Sequence, residues 1–276
     1  MDHRALTAAA TTLALAALFW SQPVPAQEAA RADTAPQDFV ADIAPAFTAR
    51  RLQAIGYVTN YRPQPGGSTQ IGGCSGTLIA PDLVLTAAHC TGHGRRAPED
   101  IFVTFGWNDS GPPLWRSPGA ALFVPEGHQP GNYNIDALHN DIALIRLPRP
   151  VPADLIAPIP LLPGLGDGGG NGEGAAFSLY GFPRGAPTLL RGHETCRVGQ
   201  IRPAVIGTDC LVQSGFSGSP LLREDSAGLR VVAVIVAHAP GQQTGAATFA
   251  AIPSPAFLRR AGAPSAPETP DPQTPD

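Results

Sequence analysis

Three short segments hold side chains that together could cleave a carbonyl compound by covalent catalysis. They follow one another in the order His, Asp, Ser. Leu85-Thr-Ala-Ala-His-Cys90 ends an apolar run in small residues and sets His89 beside a cysteine. Asn140-Asp-Ile-Ala-Leu-Ile-Arg146 sets Asp141 at the mouth of an apolar run, and Ser214-Gly-Phe-Ser-Gly-Ser-Pro220 sets Ser217 in a glycine turn. A serine hydroxyl is a weak nucleophile until a neighbouring base takes its proton, and histidine is a base near neutral pH. A carboxylate on the far ring nitrogen fixes the tautomer, and backbone N–H groups stabilise the developing oxyanion. On this scheme His89 is the base, Asp141 orients it and Ser217 is the nucleophile. The N–H groups of Gly215 and Ser217 form the oxyanion hole, because Gly215 can adopt the dihedrals that turn its N–H inward. Gly218 leaves room for a substrate backbone. Each residue alone also has an ordinary reading: a satisfied core histidine, a capping aspartate, a Ser/Gly turn. An aspartate buried at a strand mouth is costly without a partner, and His89 Nδ1–H supplies one. All three occur in one order, which favours the hydrolytic reading.

The elements that must hold these residues read as strands. Gly56–Tyr61 alternates, Gly76–Ile79 and Leu83–Thr86 flank a Pro81-Asp82 turn, and Ile101–Phe105 is a further strand. Ile142–Leu147 is a near-continuous apolar run ending at Pro148. After a glycine-dense connection, Pro163 to Gly174, the β pattern resumes at Ala176–Tyr180, Leu229–Val236 and Ala247–Ile252. That connection lacks the GK[ST] of a phosphate loop and is expected to be a flexible inter-barrel loop. Ser254-Pro255 opens a short amphipathic helix ending at Arg260, with a capping serine, proline at the first position and cations at the end. Two β units of similar size separated by a glycine loop describe a double barrel. With 31 glycines and 31 prolines, many short strands joined by turns suit the composition better than a helical bundle.

A formal net charge of -4 and no basic run argue against a nucleic-acid partner. Residues 1–26 read as a signal peptide: His3-Arg4, an apolar run from Ala5 to Trp20, then Val24 and Ala26 at the small positions before cleavage. The run is short for a membrane span and no second stretch is long enough to cross a bilayer, so no membrane association is expected of the mature form. The expected location is secreted or periplasmic. Four cysteines fit an oxidising compartment, and of three possible pairings chain order favours Cys74–Cys90 and Cys196–Cys210. The first bridge would pin the His89 turn to the preceding hairpin. No metal site is expected, since CxxC and HExxH spacings are lacking.

TAAHC, NDIAL and GFSGSP resemble the histidine, aspartate and serine signatures of the chymotrypsin-like (trypsin-like) serine endopeptidases. The likeness covers about residues 52 to 260, and the form of the serine segment is similar to the bacterial branch that includes the glutamyl endopeptidases. The resemblance implies an all-β fold of two six-stranded antiparallel barrels with the active site between them, protein or peptide substrates, and no cofactor. It places a disulfide beside the histidine, which the Cys74–Cys90 spacing matches. Tyr180-Gly-Phe-Pro183 resembles the segment flanking the specificity pocket. Three positions depart from animal members. Phe216 precedes the serine where they carry the aspartate that receives a new N-terminal ammonium, although Arg50-Arg51 offers a processing site. Leu211 stands where trypsins hold a pocket aspartate, so a basic side chain would meet no counter-charge. Ala237 lacks the hydroxyl that often supports the triad aspartate. By the same likeness Leu211 and Val212 wall the specificity pocket, which leaves apolar side chains, buried directly, or glutamate, if His238 lines the pocket instead of lying at its rim. The expected organisation is signal peptide 1–26, pro-segment or lead-in 27–51, protease domain 52–261 and a disordered Pro-rich tail 262–276. A serine esterase is the first rival, disfavoured because Ser219 spoils its GxSxG elbow and the residue order is wrong. A catalytically silent binding protein on the same fold is the second, disfavoured because all three residues are present.

Overall fold

The computed structural model of the protein describes residues 41–42, 50–107, 111–162, 164, 176–184, 186–226, 228–239 and 248–264. Its strands are β1 (Ala41–Asp42), β2 (Ile55–Pro63), β3 (Thr69–Ala80), β4 (Leu83–Thr86), β5 (Ile101–Phe105), β6 (Trp115–Pro118), β7 (Ala121–Phe123) and β8 (Ala143–Arg146). They continue with β9 (Ala176–Gly181), β10 (Arg191–Arg202), β11 (Val205–Thr208), β12 (Pro220–Asp225), β13 (Gly228–His238) and β14 (Thr248–Ala251), and a helix α1 spans Pro255–Arg260.

The first sheet runs β6-β5-β2-β3-β4-β8-β7, every pairing antiparallel. β6 and β7 act as one bent strand. At the bend the Gly119 N–H donates to the Ile101 carbonyl at 2.9 Å and the Ala120 N–H to the Arg146 carbonyl at 2.7 Å. The ladder thus passes from β5 to β8 and closes a six-stranded barrel. The second sheet runs β10-β11-β14-β13-β12-β9, and β9 pairs back onto β10, closing a second six-stranded barrel. β1 adds to it through Ala41 opposite Gly192. Closure leaves few open sheet edges for another chain to pair with.

Packing follows the pattern that the apolar runs set. Val231 to Val236 of β13 are all buried, because this strand has apolar neighbours on both faces. The larger apolar cluster joins residues of both barrels, including Val58, Leu78, Leu144, Leu222 and Val234. The smaller one lies in the second barrel around Phe177, Leu179, Ile206, Phe216 and Ile235. Each fully buried side chain of this kind contributes about 1.5–3 kcal/mol relative to exposure.

Helix α1 forms as its sequence requires: Ser254 Oγ accepts from the Phe257 N–H at 3.2 Å, with Pro255 in the first turn and Arg259 and Arg260 in the last. Phe257 and Leu258 enter the larger cluster. Arg260 donates to the Val124 carbonyl at 2.6 Å, and Arg146 of β8 donates to the Ala261 carbonyl at 2.6 Å. The helix that follows the second barrel is therefore fastened to the first. Both expected disulfides are present, Cys74–Cys90 with Cα atoms 6.0 Å apart and Cys196–Cys210 with 5.2 Å. Each closes a short loop, worth roughly 3 kcal/mol in the chain-entropy account.

The expected signal peptide 1–26, most of the lead-in 27–51, the glycine-dense connection apart from Gly164, and the tail beyond residue 264 lie outside the described residues. No helix among the described residues is long and apolar enough to cross a membrane.

Candidate active site

His89 sits in a single 3-10 turn, Ala88–Thr91, directly after β4. The turn is tied on all sides. Cys90 is bridged to Cys74 of β3, the Cys90 carbonyl accepts from Asn60 Nδ2 at 2.7 Å, and Thr91 Oγ1 donates to the Ala88 carbonyl at 2.8 Å. Asp141 follows a second 3-10 turn, Leu138–Asn140, and is only 7% exposed. Its Oδ2 lies 2.6 Å from His89 Nδ1, and its Oδ1 accepts from the His89 N–H at 2.9 Å. Both carboxylate oxygens thus hold one histidine, fixing backbone and ring together. Among the described residues no other side chain bonds this carboxylate, in keeping with the alanine at 237. Burial alone would raise the Asp141 carboxyl, but the hydrogen bonds and charge of His89 outweigh it and hold the group below its ordinary value. A depressed carboxyl contributes stability above its unfolded pKa, near ~3.9, and loses it as pH falls through the lower folded value.

Ser217 lies in the turn before β12. Its carbonyl accepts from the Ser75 N–H at 2.8 Å and stands 3.6 Å from the sulfur of Cys90, the residue after His89. Gly215 has φ +103°, and a Cβ there would strike the Phe182 carbonyl and the Arg184 nitrogen. The amides around the turn differ in partnership. Those of Phe216, Gly218 and Ser219 donate to the carbonyls of Gln213, Ile235 and Phe216 at 3.1, 2.8 and 2.9 Å. No acceptor among the described residues takes the N–H of Gly215 or Ser217. Gly218 has φ +84°, and the space beside its Cα is filled by the Ser75 carbonyl and Thr86 Oγ1. Its missing side chain therefore lets the turn pack on β3 and β4, where the sequence had pointed to room for a substrate backbone.

Leu211 and Val212 follow Cys210, both half-buried, with Val212 packed on the second barrel's cluster. His238 ends β13, exposed, opposite Thr248 of β14. Thr248 Oγ1 donates to the Cys210 carbonyl at 2.5 Å, so the end of β13 and the Leu211 segment share a neighbour.

The sequence pointed to none of Ser75, His193, His93 and His128. Ser75 is fully buried and joins the barrels: besides its amide, its Oγ donates to the Gly215 carbonyl at 3.0 Å and accepts from the Phe182 N–H at 2.8 Å. His193 Nε2 lies 2.9 Å from the Leu211 carbonyl. His93 Nδ1 lies 2.9 Å from His128 Nε2, beside Asp141. Burial lowers the pKa of both these histidines. The charge of His128 lowers that of His93 further, while that of Asp141 opposes the shift in both. The flanking glycines mark His93 as a tight turn, but no local signal places His128 against it.

A trypsin-like peptidase domain matches residues 74–234, more than half of the chain. The chain belongs to the trypsin-like peptidase family. A Glu endopeptidase shares the fold at a TM-score of 0.58 and 21% identity, with 81% of this chain and 94% of that one covered. The protease Anisep from Arthrobacter nicotinovorans does so at 0.51 and 19%, covering 73% and 89%. In sequence, the vitellin-degrading protease of Bombyx mori is 36% identical over 78 residues, 28% of this chain and 27% of that protein. Coagulation factor XII of Sus scrofa is 28% identical over 188 residues, 57% and 30% respectively. The matches span less than a third of these relatives' length.

Proposed function

We propose that the protein is an exported serine endopeptidase that cleaves peptide bonds in protein or peptide substrates through Ser217, His89 and Asp141. The observation that carries this is the double hold of the Asp141 carboxylate on His89, with the Ser217 carbonyl bonded to the Ser75 N–H and 3.6 Å from the sulfur of Cys90. Held so, His89 keeps its proton on Nδ1 and offers the Nε2 lone pair. Ser217 Oγ attacks the scissile carbonyl carbon while its proton passes to His89 Nε2. The oxyanion is received by the unpartnered N–H groups of Gly215 and Ser217. Collapse expels the amine with the proton from Nε2 and leaves an acyl-enzyme ester. Water repeats the sequence, and Ser217 is regenerated with release of the carboxylic acid. These steps call for no cofactor. Export is supported by the apolar leader and by two disulfides, which persist in oxidising compartments.

A fluorophosphonate should label one residue of the exported protein, and peptide mapping should place the label on Ser217. Labelling elsewhere, or none, defeats the assignment and favours the silent binding protein. Labelling at Ser217 with turnover of esters alone favours the esterase.

For specificity we infer a pocket walled by Leu211 and Val212 with His238 at its edge, suited to glutamate. No acidic residue stands at position 211, and desolvating Lys or Arg without a partner costs several kcal/mol. The likeness to a Glu endopeptidase supports the same choice. An imidazole N–H at the pocket edge can donate a hydrogen bond to a glutamate carboxylate. A peptide library should show Glu at the cleaved position with wild type and loss of that preference in His238→Ala. Dominance of Arg or Lys would overturn the pocket.

A further inference from the structure

His93 occupies the left-handed region at φ +63°, between Gly92 at +63° and Gly94 at +73°. A non-glycine residue there carries strain of order 1 kcal/mol or more, and strain of this kind gathers at functional sites. The bonds that enforce it are local: the His93 N–H donates to the Ala88 carbonyl at 2.8 Å and the Gly94 N–H to Thr91 Oγ1 at 3.0 Å. The same 3-10 turn that holds His89 thus aims His93 at His128, 35 residues away. Their ring planes differ by only 20° and their centroids lie 5.1 Å apart, about the 2.9 Å nitrogen separation plus a ring radius at each end. The rings meet edge to edge, with in-plane nitrogens converging. His93, His128 and Asp141 each offer a ligand atom, and these atoms lie within 4.8 Å of one another.

We propose that His93 and His128, together with the Asp141 carboxylate, bind a zinc-class divalent cation that draws Asp141 from His89 and halts hydrolysis. Two imidazoles and a carboxylate suit zinc, whose Zn–N bonds are about 2.0–2.1 Å, and leave a fourth position for water. Donors around a tetrahedral ion stand farther apart than the two nitrogens do here, so the ring pair opens slightly while the carboxylate closes in. Whichever ring donates in the histidine pair moves its proton to its other nitrogen, freeing both lone pairs without loss of a proton. Arg95 opposes a cation here and Asp141 favours it. A cation on Asp141 offsets the negative charge that steadies the His89 imidazolium and pulls the carboxylate toward the ring pair, so an inhibitory role follows from shared use of one carboxylate. That role rests on the proposed triad; the binding site does not.

The full exported chain, in metal-free buffer, is titrated with zinc by calorimetry and with cobalt by visible absorption, alongside peptide turnover. Wild type should bind one zinc per chain and show the intense cobalt bands of a tetrahedral site. Its turnover should fall as the site fills and return with chelator, and calcium or magnesium should do nothing. His93→Asn and His128→Asn should each weaken zinc binding by about a hundredfold or more, the upper range for supporting residues alone. Each variant's rate, relative to its own metal-free value, should resist zinc. Zinc should also protect His93 and His128 of the wild type from diethyl pyrocarbonate, which decides the site even if a variant fails to fold. No binding, or binding that leaves both histidines reactive, overturns the site. Binding without loss of turnover overturns the inhibition. A wild type that binds zinc yet hydrolyses nothing without metal overturns the peptidase reading instead.

Discussion

Replacement of Ser217 by alanine should lower kcat on a peptide substrate by about a million-fold and abolish fluorophosphonate labelling. The loss is large because one Oγ is both the atom that attacks and the atom that holds the acyl group. Without it His89 and Asp141 have nothing to activate, so their contributions vanish with it instead of remaining as separate terms. A residual rate above that in water is expected from the oxyanion N–H groups and substrate binding. The fold should survive. The contact that seats residue 217 on β3 is made by its backbone carbonyl with the Ser75 N–H, which alanine keeps. The unfolding free energy should therefore move by no more than about 1 kcal/mol. Rate, labelling and a denaturation curve on the same preparation check this. A variant that labels or turns over like wild type removes Ser217 from the mechanism.

The barrels were legible where side chains alternate or run apolar. Gly56–Tyr61 falls within β2, Ile101–Phe105 is β5 itself, and the Ser254 cap and α1 were readable to the residue. Strands β1, β6, β7, β10, β11 and β12 were not. β10 begins Arg191-Gly-His-Glu-Thr-Cys-Arg197, a mostly polar stretch without an apolar alternation, and it pairs with β9 and β11. β6 and β7 escape notice because each is short and Pro118 and Gly119 interrupt the pattern at the bend. In the site, His89 and Asp141 were recognisable from short local segments, and the structure brings them into contact. Ser75 was invisible, since a serine in Gly-Gly-Cys-Ser-Gly looks like turn chemistry until the second barrel supplies its partners. His93 and His128 escaped for the same reason: their relation exists only in three dimensions.

Asp141→Asn should reduce kcat by about ten-thousand-fold with little change in KM, and the cause should be a tautomer. The carboxylate only accepts hydrogen bonds, so an imidazole 2.6 Å from Oδ2 must carry its proton on Nδ1. An asparagine keeps the acceptor needed for the His89 N–H. Facing Nδ1, however, its NH2 can donate, and the ring then satisfies it by moving its proton to Nε2. A ring protonated at Nε2 cannot take the proton of Ser217 and so stops serving as the base. The loss of a charge that steadies the imidazolium adds to the effect. A merely structural role for Asp141 would cost stability while leaving the surviving folded molecules active. Nitrogen NMR of His89 separates the two: the proton should sit on Nδ1 in wild type and on Nε2 in the variant, in a protein whose backbone spectrum is unchanged. A variant that retains a tenth of wild-type kcat, or a His89 whose tautomer does not move, would show that Asp141 does not orient the base.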